Sequence, residues 1–416
     1  MMKKIKKVLV NIAKKNQMFR IILRFLINLK YKVVYKCYSI TKKIDNKTII
    51  FESFVGNKYA CSPKAIYEEM IKDNKFKNFK FYWSFKNPKT KRSIKNLERS
   101  NLVKRNSKKF IEICSTAKYI ITNSRLPDYI IRRKGQVYLQ CWHGTPLKKL
   151  GYDLTTEGGN ALNSLKDMQN KYKTEAKRFT HLLSPSKFTT EKLSKAFNLE
   201  KNNNKVKILE VGYPRNDFLF KSTAKDKKDL KKLLNLPSNK KVILYAPTWR
   251  DNQHEAGVGY TYDLGVNFDN LKENLNDEFV ILFRTHYFVA NKFNFDKYKD
   301  FVINVSEYED IVDLYTISDL LITDYSSVFF DYANLKRPII FYMYDLEKYK
   351  NEIRGFYLDL NELPGKITTK EDELINEIKN IENNFKYDEK YITFNKKYNY
   401  LDEKNISKKV INKMIK

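Results

Sequence analysis

Four histidines occur in this chain, His143, His181, His254 and His286, and two of them stand where a strand should end. His143 follows the apolar run Gln136 to Trp142 and precedes Gly144-Thr145-Pro146. Thr145 reads as a helix N-cap and Pro146 as the first helical residue. A helix N-terminus carries positive partial charge, so an imidazole beside it is expected to have a lowered pKa and to be neutral near pH 7. A neutral imidazole can take the proton of a hydroxyl nucleophile. The alternative is a histidine that merely caps a turn. His286 closes Phe283-Arg284-Thr285-His286 behind a second apolar run. A cation and an imidazole at a strand end suit a diphosphate, because they stabilise the negative charge that builds as a P–O bond breaks. Arg250 leaves a strand in the same way, in Tyr245-Ala246-Pro247-Thr248-Trp249-Arg250-Asp251. A structural salt bridge is the alternative for either arginine. His181 begins a short strand and His254 sits in a polar loop, so both read as incidental.

A second constellation lies between Asp319 and Asp345, DLLITDYSSVFFDYANLKRPIIFYMYD. It reads as strand, polar turn, helix, strand. Thr323 ends the first strand, Ser326 and Ser327 stand where the helix should begin, and Pro338 leads into the next strand. Unpaired N–H groups at a helix start, with hydroxyls at the cap, suit a phosphate. An ordinary N-cap is the alternative for the two serines. Asp331, about one and a half turns into that helix, could accept ribose hydroxyls, with a solvated surface acid as its alternative. No Asp-x-Asp occurs in the chain. A metal-bridged diphosphate is therefore not expected, and cationic side chains with helix dipoles must neutralise the phosphates. No cofactor is expected, and no metal.

These groups need strands that end together. Strand and helix patterns alternate from Thr48 to Val211, with Ser62 as N-cap and Pro63 as first residue of an early helix. Gly212-Tyr213-Pro214-Arg215-Asn216 pairs turn formers with a strand exit and reads as an interdomain linker. A second alternating series starts at Val242. Two such series predict an α/β protein of two Rossmann-like, doubly wound domains with a cleft between them, in which ligands meet the carboxyl ends of the strands. The divisions are 1–45, a basic arm; 46–215, the first domain, for the acceptor; and 216–416, the second, for the donor. The polar segment Thr155 to Thr180 shows no strand pattern, and Glu403 to Lys416 reads as a short basic helix.

Composition narrows the function. With 42% hydrophobic and 14% aromatic residues, the 416-residue chain can build sizeable cores. Its 12 glycines are few against roughly 7% in an average protein. They form neither G-x-G-x-x-G nor a Walker loop, which argues against a dehydrogenase and a P-loop ATPase. The four scattered cysteines form no C-x-x-C pair, so neither zinc nor a redox couple is suggested, and the absence of a disulfide framework fits the cytoplasm. The net charge of +32 directs attention to nucleic acid, anionic membrane or phosphate-rich substrate. The first fifty residues hold 14 Lys/Arg and one acid, Asp45. Within them, Met18 to Leu29 is apolar apart from Arg20, Arg24 and Asn28, which recur every fourth residue as one helical stripe. That run is too short and too charged to span a bilayer, and it lacks a signal-peptide core. It fits a basic amphipathic helix on an anionic leaflet; a helix packed on its own domain is the alternative.

Five segments in order resemble the CDP-glycerol glycerophosphotransferase family, the primases and polymerases of teichoic acid. They are Trp142-His143-Gly144-Thr145-Pro146-Leu147-Lys148, Gly212-Tyr213-Pro214-Arg215-Asn216-Asp217, Ala246-Pro247-Thr248-Trp249-Arg250, Arg284-Thr285-His286, and Thr323-Asp324-Tyr325-Ser326-Ser327 with Phe330-Asp331. The resemblance spans about Phe51 to Gly355. It implies a GT-B architecture, a CDP-glycerol or related CDP-alditol donor, and a peripheral enzyme on the cytoplasmic face of the cell membrane. The acceptor it implies is a hydroxyl of a lipid-linked glycan or polymer. It casts His143 as base, His286 as the histidine that meets the donor phosphates, Thr323, Ser326 and Ser327 as the phosphate turn, and Asp331 as the ribose contact. The family's membrane-facing helices follow its His-Gly-Thr motif; Thr155 to Thr180 occupies that place here but is polar, so the Met18 to Leu29 helix is the alternative membrane element. The chain's length, short of many polymerases, favours a primase or compact transferase. The rival readings are a GT-B sugar-nucleotide glycosyltransferase, which fold alone does not separate, a basic nucleic-acid-binding protein, and an inactive membrane scaffold. Against nucleic acid, the charge is spread along the chain without a binding motif.

Overall fold

The computed structural model describes residues 16–155, 164–201, 205–248, 254–255, 259–260, 265–285, 295–347 and 355–415. The chain opens with helix α1 (Gln17–Thr41), capped by the Asn16 side chain. Strand β1 (Asp45–Glu52) follows, then α2 (Cys61–Met70), β2 (Lys80–Phe85), β3 (Ser100–Lys104), α3 (Lys108–Thr116), β4 (Ala117–Thr122) and β5 (Val137–Gln140). Next come α4 (Leu165–Ala176), β6 (His181–Ser184), α5 (Lys187–Ala196), β7 (Lys207–Glu210), α6 (Asp217–Lys221) and α7 (Ala224–Leu233). The second large sheet begins at β8 (Lys241–Ala246), with a small hairpin of β9 (His254–Glu255) and β10 (Gly259–Tyr260). It continues through α8 (Phe268–Leu275), β11 (Phe279–Phe283), β12 (Val302–Asn304), α9 (Ile311–Ile317) and β13 (Leu320–Thr323). Helix α10 (Val328–Tyr332), β14 (Ile339–Tyr342) and β15 (Lys366–Thr368) complete it. The C-terminal helices are α11 (Glu371–Lys379), α12 (Ile381–Asn384), α13 (Glu389–Tyr398) and α14 (Ile406–Met414).

The chain forms two compact units, one of residues 1–58 and 70–140, the other of 59–69 and 141–416. In the first, the strands run parallel in the order β3-β2-β1-β4-β5. In the second, β6 and β7 pair in parallel. Six further strands make a parallel sheet in the order β12-β11-β8-β13-β14-β15. Relative to its own first strand this is the order 3-2-1-4-5-6 of a Rossmann sheet. The expected fold class, two Rossmann-like α/β bodies of the GT-B kind preceded by an N-terminal helix, is therefore present. Strands such as Phe279–Phe283 and Leu320–Thr323 are buried along their whole length. That is the condition of a parallel sheet covered on both faces.

One local expectation fails outright, and others are met with shifted bounds or surroundings. No helix follows Thr145-Pro146; residues 145–150 have no regular structure apart from Lys148, which bridges Phe356 in antiparallel fashion. Tyr357 N donates to Leu147 O (2.8 Å) and Lys149 N to Gly355 O (2.8 Å), so distant pairing replaces the helix that the Thr-Pro signal suggests. The helix expected from Ser326 is the five-residue α10, which tightens into a 3₁₀ turn at Ala333–Leu335. Helix α2 spans Cys61–Met70, a residue or two earlier than a Ser62 cap suggests, and Cys61 at its start has a left-handed φ of 64°. The polar stretch after residue 155 contains α4, closed by a capping box between Ser164 and Asp167. The segment read as an interdomain linker is buried, with Asn216 wholly so and Arg215 5% exposed.

Candidate active site

The Rossmann order of the second sheet has its switch point between β8 and β13, so the chain leaves those two neighbours toward opposite sides and a crevice opens at their carboxyl ends. The segments at those ends are Ala246-Pro247-Thr248 and Thr323-Asp324-Tyr325-Ser326-Ser327. They are tied together. Thr323 Oγ1 donates to Ala246 O (2.8 Å), and Asp324 Oδ1 accepts from Thr248 N (2.8 Å) and Tyr325 N (2.6 Å). Thr323 and Asp324 are buried; Ser326 and Ser327 are half-buried. Thr323, expected to face phosphate, thus gives its hydroxyl to the neighbouring strand. Ser327 stands at the cap of α10 without a side-chain cap bond. Sequence reasoning gave Asp324 no role, although it fixes the turn.

His143 reaches this turn by an unusual backbone. Trp142 adopts φ 51°, which a bulky residue takes only under strong tertiary constraint. Its buried ring packs against Phe197 (5.3 Å between centroids) and Tyr172 (6.3 Å), with the His143 ring at 4.4 Å. His143 is exposed between buried neighbours on both sides, Cys141 and Trp142 before it, Gly144 to Leu147 after. Gly144 is pressed against the serine turn: a Cβ there would lie 2.7 Å from Ser327 Oγ. A side chain there would displace the Ser327 hydroxyl from its present position. The structure thus brings His143-Gly144 and Ser327 together. The helix dipole expected to tune His143 does not exist.

One guanidinium nitrogen of Arg284 is engaged by the backbone. Its Nη1 donates to Val305 O (2.9 Å) and Tyr308 O (3.1 Å), and burial pushes the guanidinium below its ordinary value. Thr285 beside it has a buried Oγ1 without a protein partner, while its N–H donates to Ser306 Oγ (3.0 Å). Arg250 and His286 lie outside the described residues.

Asp331 is occupied too. Its Oδ1 accepts from Arg215 Nη2 (2.8 Å), Arg215 Nε (3.2 Å) and Asn216 Nδ2 (3.0 Å). It is a buried acid rather than a solvated one. Arg215 also lies 4.0 Å above the Tyr213 ring and approaches Cys61 Sγ (3.7 Å). Burial alone would lower the Arg215 pKa, but the Asp331 carboxylate holds it above its usual value. Asn216 Nδ2 further donates to Asp402 Oδ2 (2.7 Å), and Tyr213 N to Asp402 Oδ1 (2.7 Å). Gly212 (φ 99°) makes the turn possible, since a Cβ would meet Leu401 O at 2.5 Å. This network fastens α10, and with it Ser327, to the C-terminal helices. Its partners are far apart in sequence, so no local pattern pointed to it. Among the described residues no group of three or more His, Cys, Asp or Glu could hold a metal ion, and no helix is long and apolar enough to cross a membrane.

Comparison with known proteins places these motifs in context. The model of the family described as CDP-Glycerol:Poly(glycerophosphate) glycerophosphotransferase matches residues 34–416. The teichoic acid poly(glycerol phosphate) polymerase of Staphylococcus epidermidis is 43% identical over 352 residues, covering 83% of this chain and 47% of that protein. The teichoic acid glycerol-phosphate transferase of Staphylococcus aureus is 38% identical over 388 residues, covering 92% of this chain and 97% of its own length. The chain spans about half the length of the first curated relatives it matches. A solved structure of a variant of the wall teichoic acid polymerase TagF with CDPG superposes with TM-score 0.84 at 38% identity, covering 96% of this chain and 97% of that one.

Proposed function

The chain belongs to the CDP-glycerol:poly(glycerophosphate) glycerophosphotransferase family, and from that premise we propose that it transfers glycerol phosphate from CDP-glycerol to a hydroxyl of a lipid-linked glycan or growing polymer, releasing CMP. The observation that supports the reading is the close approach of Gly144, next to His143 and the left-handed Trp142, to the Ser327 hydroxyl. His143 takes the acceptor proton. The acceptor oxygen forms a bond to the glycerol-bearing phosphorus, and the bond from that phosphorus to the bridging oxygen breaks, leaving CMP. Ser326 and Ser327 receive the phosphates at the switch-point crevice, with His286 and Arg250 as further phosphate partners. Asp331 carries Arg215 on one oxygen, so a ribose hydroxyl would meet its other oxygen. Residues 46–215 serve the acceptor and 216–416 the donor. Glycerol as the transferred alditol follows the names of the relatives that are 38–43% identical.

The acceptor's lipid places the enzyme at the cytoplasmic face of the membrane, held peripherally by its N-terminal helix. The test is CMP release from CDP-glycerol, with and without an acceptor-bearing membrane fraction, in wild type and His143→Ala. Acceptor-dependent release that collapses in the variant is the expected result. Release of a nucleoside diphosphate from a sugar nucleotide instead would give the site to glycosyl transfer.

A further inference from the structure

Helix α1 is attached to the first unit by one side of its C-terminal half. Tyr35 is buried and its hydroxyl donates to Ile131 O. The Tyr31 ring lies 4.9 Å from Tyr129, and just beyond the helix Lys42 pairs with Glu112 of α3 at 2.6 Å. Arg133 Nη1 donates to Lys42 O (3.0 Å), closing the joint. Asn28, three residues before Tyr31, continues that side by helical spacing. A helix held this way on a globular body would ordinarily show water a polar back. This one does the reverse. Met18, Ile22, Phe25, Leu29, Val33 and Ile40 recur at three-, four- and seven-residue steps, which is one face of the helix. All six are exposed, Phe25 at 64%, Val33 at 61% and Ile40 at 74%. The face runs past Leu29, through the half of the helix that is already docked. At 1.5 Å per residue it is about 33 Å long, far more than a scattering of single surface hydrophobics. Lys30 and Lys32 are exposed on either flank, Lys36 is exposed within it, and Gln17–Thr41 contains no acidic residue.

We propose that the whole outward face of α1, from Met18 to Ile40, is a bilayer-contact surface. The helix lies flat between the first unit and an anionic membrane, so the docking side at Tyr31 and Tyr35 sets the orientation of that unit on the lipid. The inference rests on the membrane-associated reading above and sharpens it. The apolar ridge enters the acyl boundary while the flanking lysines meet anionic head groups. A tethering arm needs only residues 18–29; an orienting surface needs Val33, Ile40 and the joint as well.

Cys37 provides the probe, because it lies between Val33 and Ile40 and is the exposed cysteine, the other three being buried. The full chain, labelled there with an environment-sensitive dye, is mixed with vesicles of phosphatidylcholine alone or with equal phosphatidylglycerol. The expected result is co-sedimentation and a blue shift on the anionic vesicles only. Val33→Glu with Ile40→Glu should lower vesicle partition by roughly a hundredfold, about tenfold for each apolar side chain withheld, while the thermal transition stays in place because both positions are exposed. Three results overturn the proposal. Co-sedimentation without a blue shift, with the double variant binding like wild type and Phe25→Glu failing to bind, leaves an N-terminal tether and no orienting face. Loss of self-association in the double variant, with vesicle binding intact, makes the face a contact between copies. No binding of wild type to anionic vesicles removes the membrane reading itself.

Discussion

Each unit turns back on itself between its first strand and its fourth, and the two switch points are built differently. In the first unit the ends of β1 and β4 are filled. Glu52 is buried and receives Arg105 Nε (3.0 Å) and Ser84 Oγ (2.7 Å), while Asn123 Oδ1 accepts from Phe54 N (2.8 Å). Phe54 and Val55 bend over it in left-handed conformations. Burial raises the Glu52 pKa, with Arg105 opposing the rise. One carboxylate meets one guanidinium at these strand ends. In the second unit the corresponding ends present half-buried serines and an acid, Asp324, engaged by backbone N–H groups. The same topology serves as a strut in one place and as a receptive turn in the other. Strand order fixes where a site can be, and the residues at strand ends decide whether one is there.

Substitutions should separate the two. The largest effect is expected at the receptive turn: His143→Ala should lower turnover by roughly 10²–10⁴-fold with little change in the unfolding transition, since the side chain is exposed. Steady-state CMP release and calorimetry on the same preparation check both halves. A variant with normal turnover removes His143 from the chemistry. At the filled switch point the pattern should invert. Glu52→Gln leaves the half-buried Arg105 without its counter-charge and should cost about 2 kcal/mol of stability, with turnover per folded molecule unchanged. Denaturant titration measures the first and active-site-normalised rates the second. If Glu52→Gln instead lowers turnover in well-folded protein, the contrast between strut and site fails.

Gly144→Ala tests the joint between the two motifs and should be the next smaller effect. The added methyl lies 2.7 Å from Ser327 Oγ, so that hydroxyl must rotate away or one turn must shift. A displacement of about 1 Å in a catalytic group costs on the order of 10²-fold in rate. Ser327→Gly alone sets the reference, since Ser327 is a proposed phosphate contact, and in that background Gly144→Ala should cost less than it does in wild type if the clash is the cause. An equal cost in both backgrounds would mean that the clash does not explain the loss.

The sequence was most legible where chemistry and local pattern coincide. Apolar runs ending in polar turns located β11, β13 and β14 within a residue or two, and the alternation of strands and helices specified the α/β class. The five ordered segments specified the family, which the match over residues 34–416 establishes. What stayed hidden depends on partners far along the chain. Thr145-Pro146 carries a local helix-start signal, but residues 147–149 pair with residues 355–357 instead. For Asp331 the sequence suggests a ribose contact or a solvated surface acid, and neither reading anticipates Arg215, 116 residues earlier, bound to its carboxylate. The left-handed Trp142 has no propensity signal at all; packing against Phe197 imposes it. Thr323 and Arg284 were read as ligand contacts from their position at strand ends. Their hydrogen bonds go to the backbone of neighbouring segments, an obligation that sequence does not display.

The smallest expected effect concerns charge balance behind the site. At the first switch point one arginine answers one carboxylate. Behind the second, Arg215 answers Asp331, and Asp402 lies in the same buried network through the shared Asn216 amide. One guanidinium does not compensate two buried carboxylates, and burial pushes Asp402 up to about 6 from an ordinary 3.8, with repulsion from Asp331 adding to the rise. The folded state therefore holds a proton that the unfolded chain releases between those values. Stability from this group is fully present below about pH 4 and is lost as pH rises through about 6. A single proton gives a slope of at most about 1.4 kcal/mol per pH unit. Denaturation midpoints of wild type across pH 4.5 to 7.5 should fall in that direction, and Asp402→Asn should flatten the profile by one proton whatever it does to absolute stability. An unchanged slope in the variant would mean that Asp402 is ionised throughout and that the network carries two charges on one arginine.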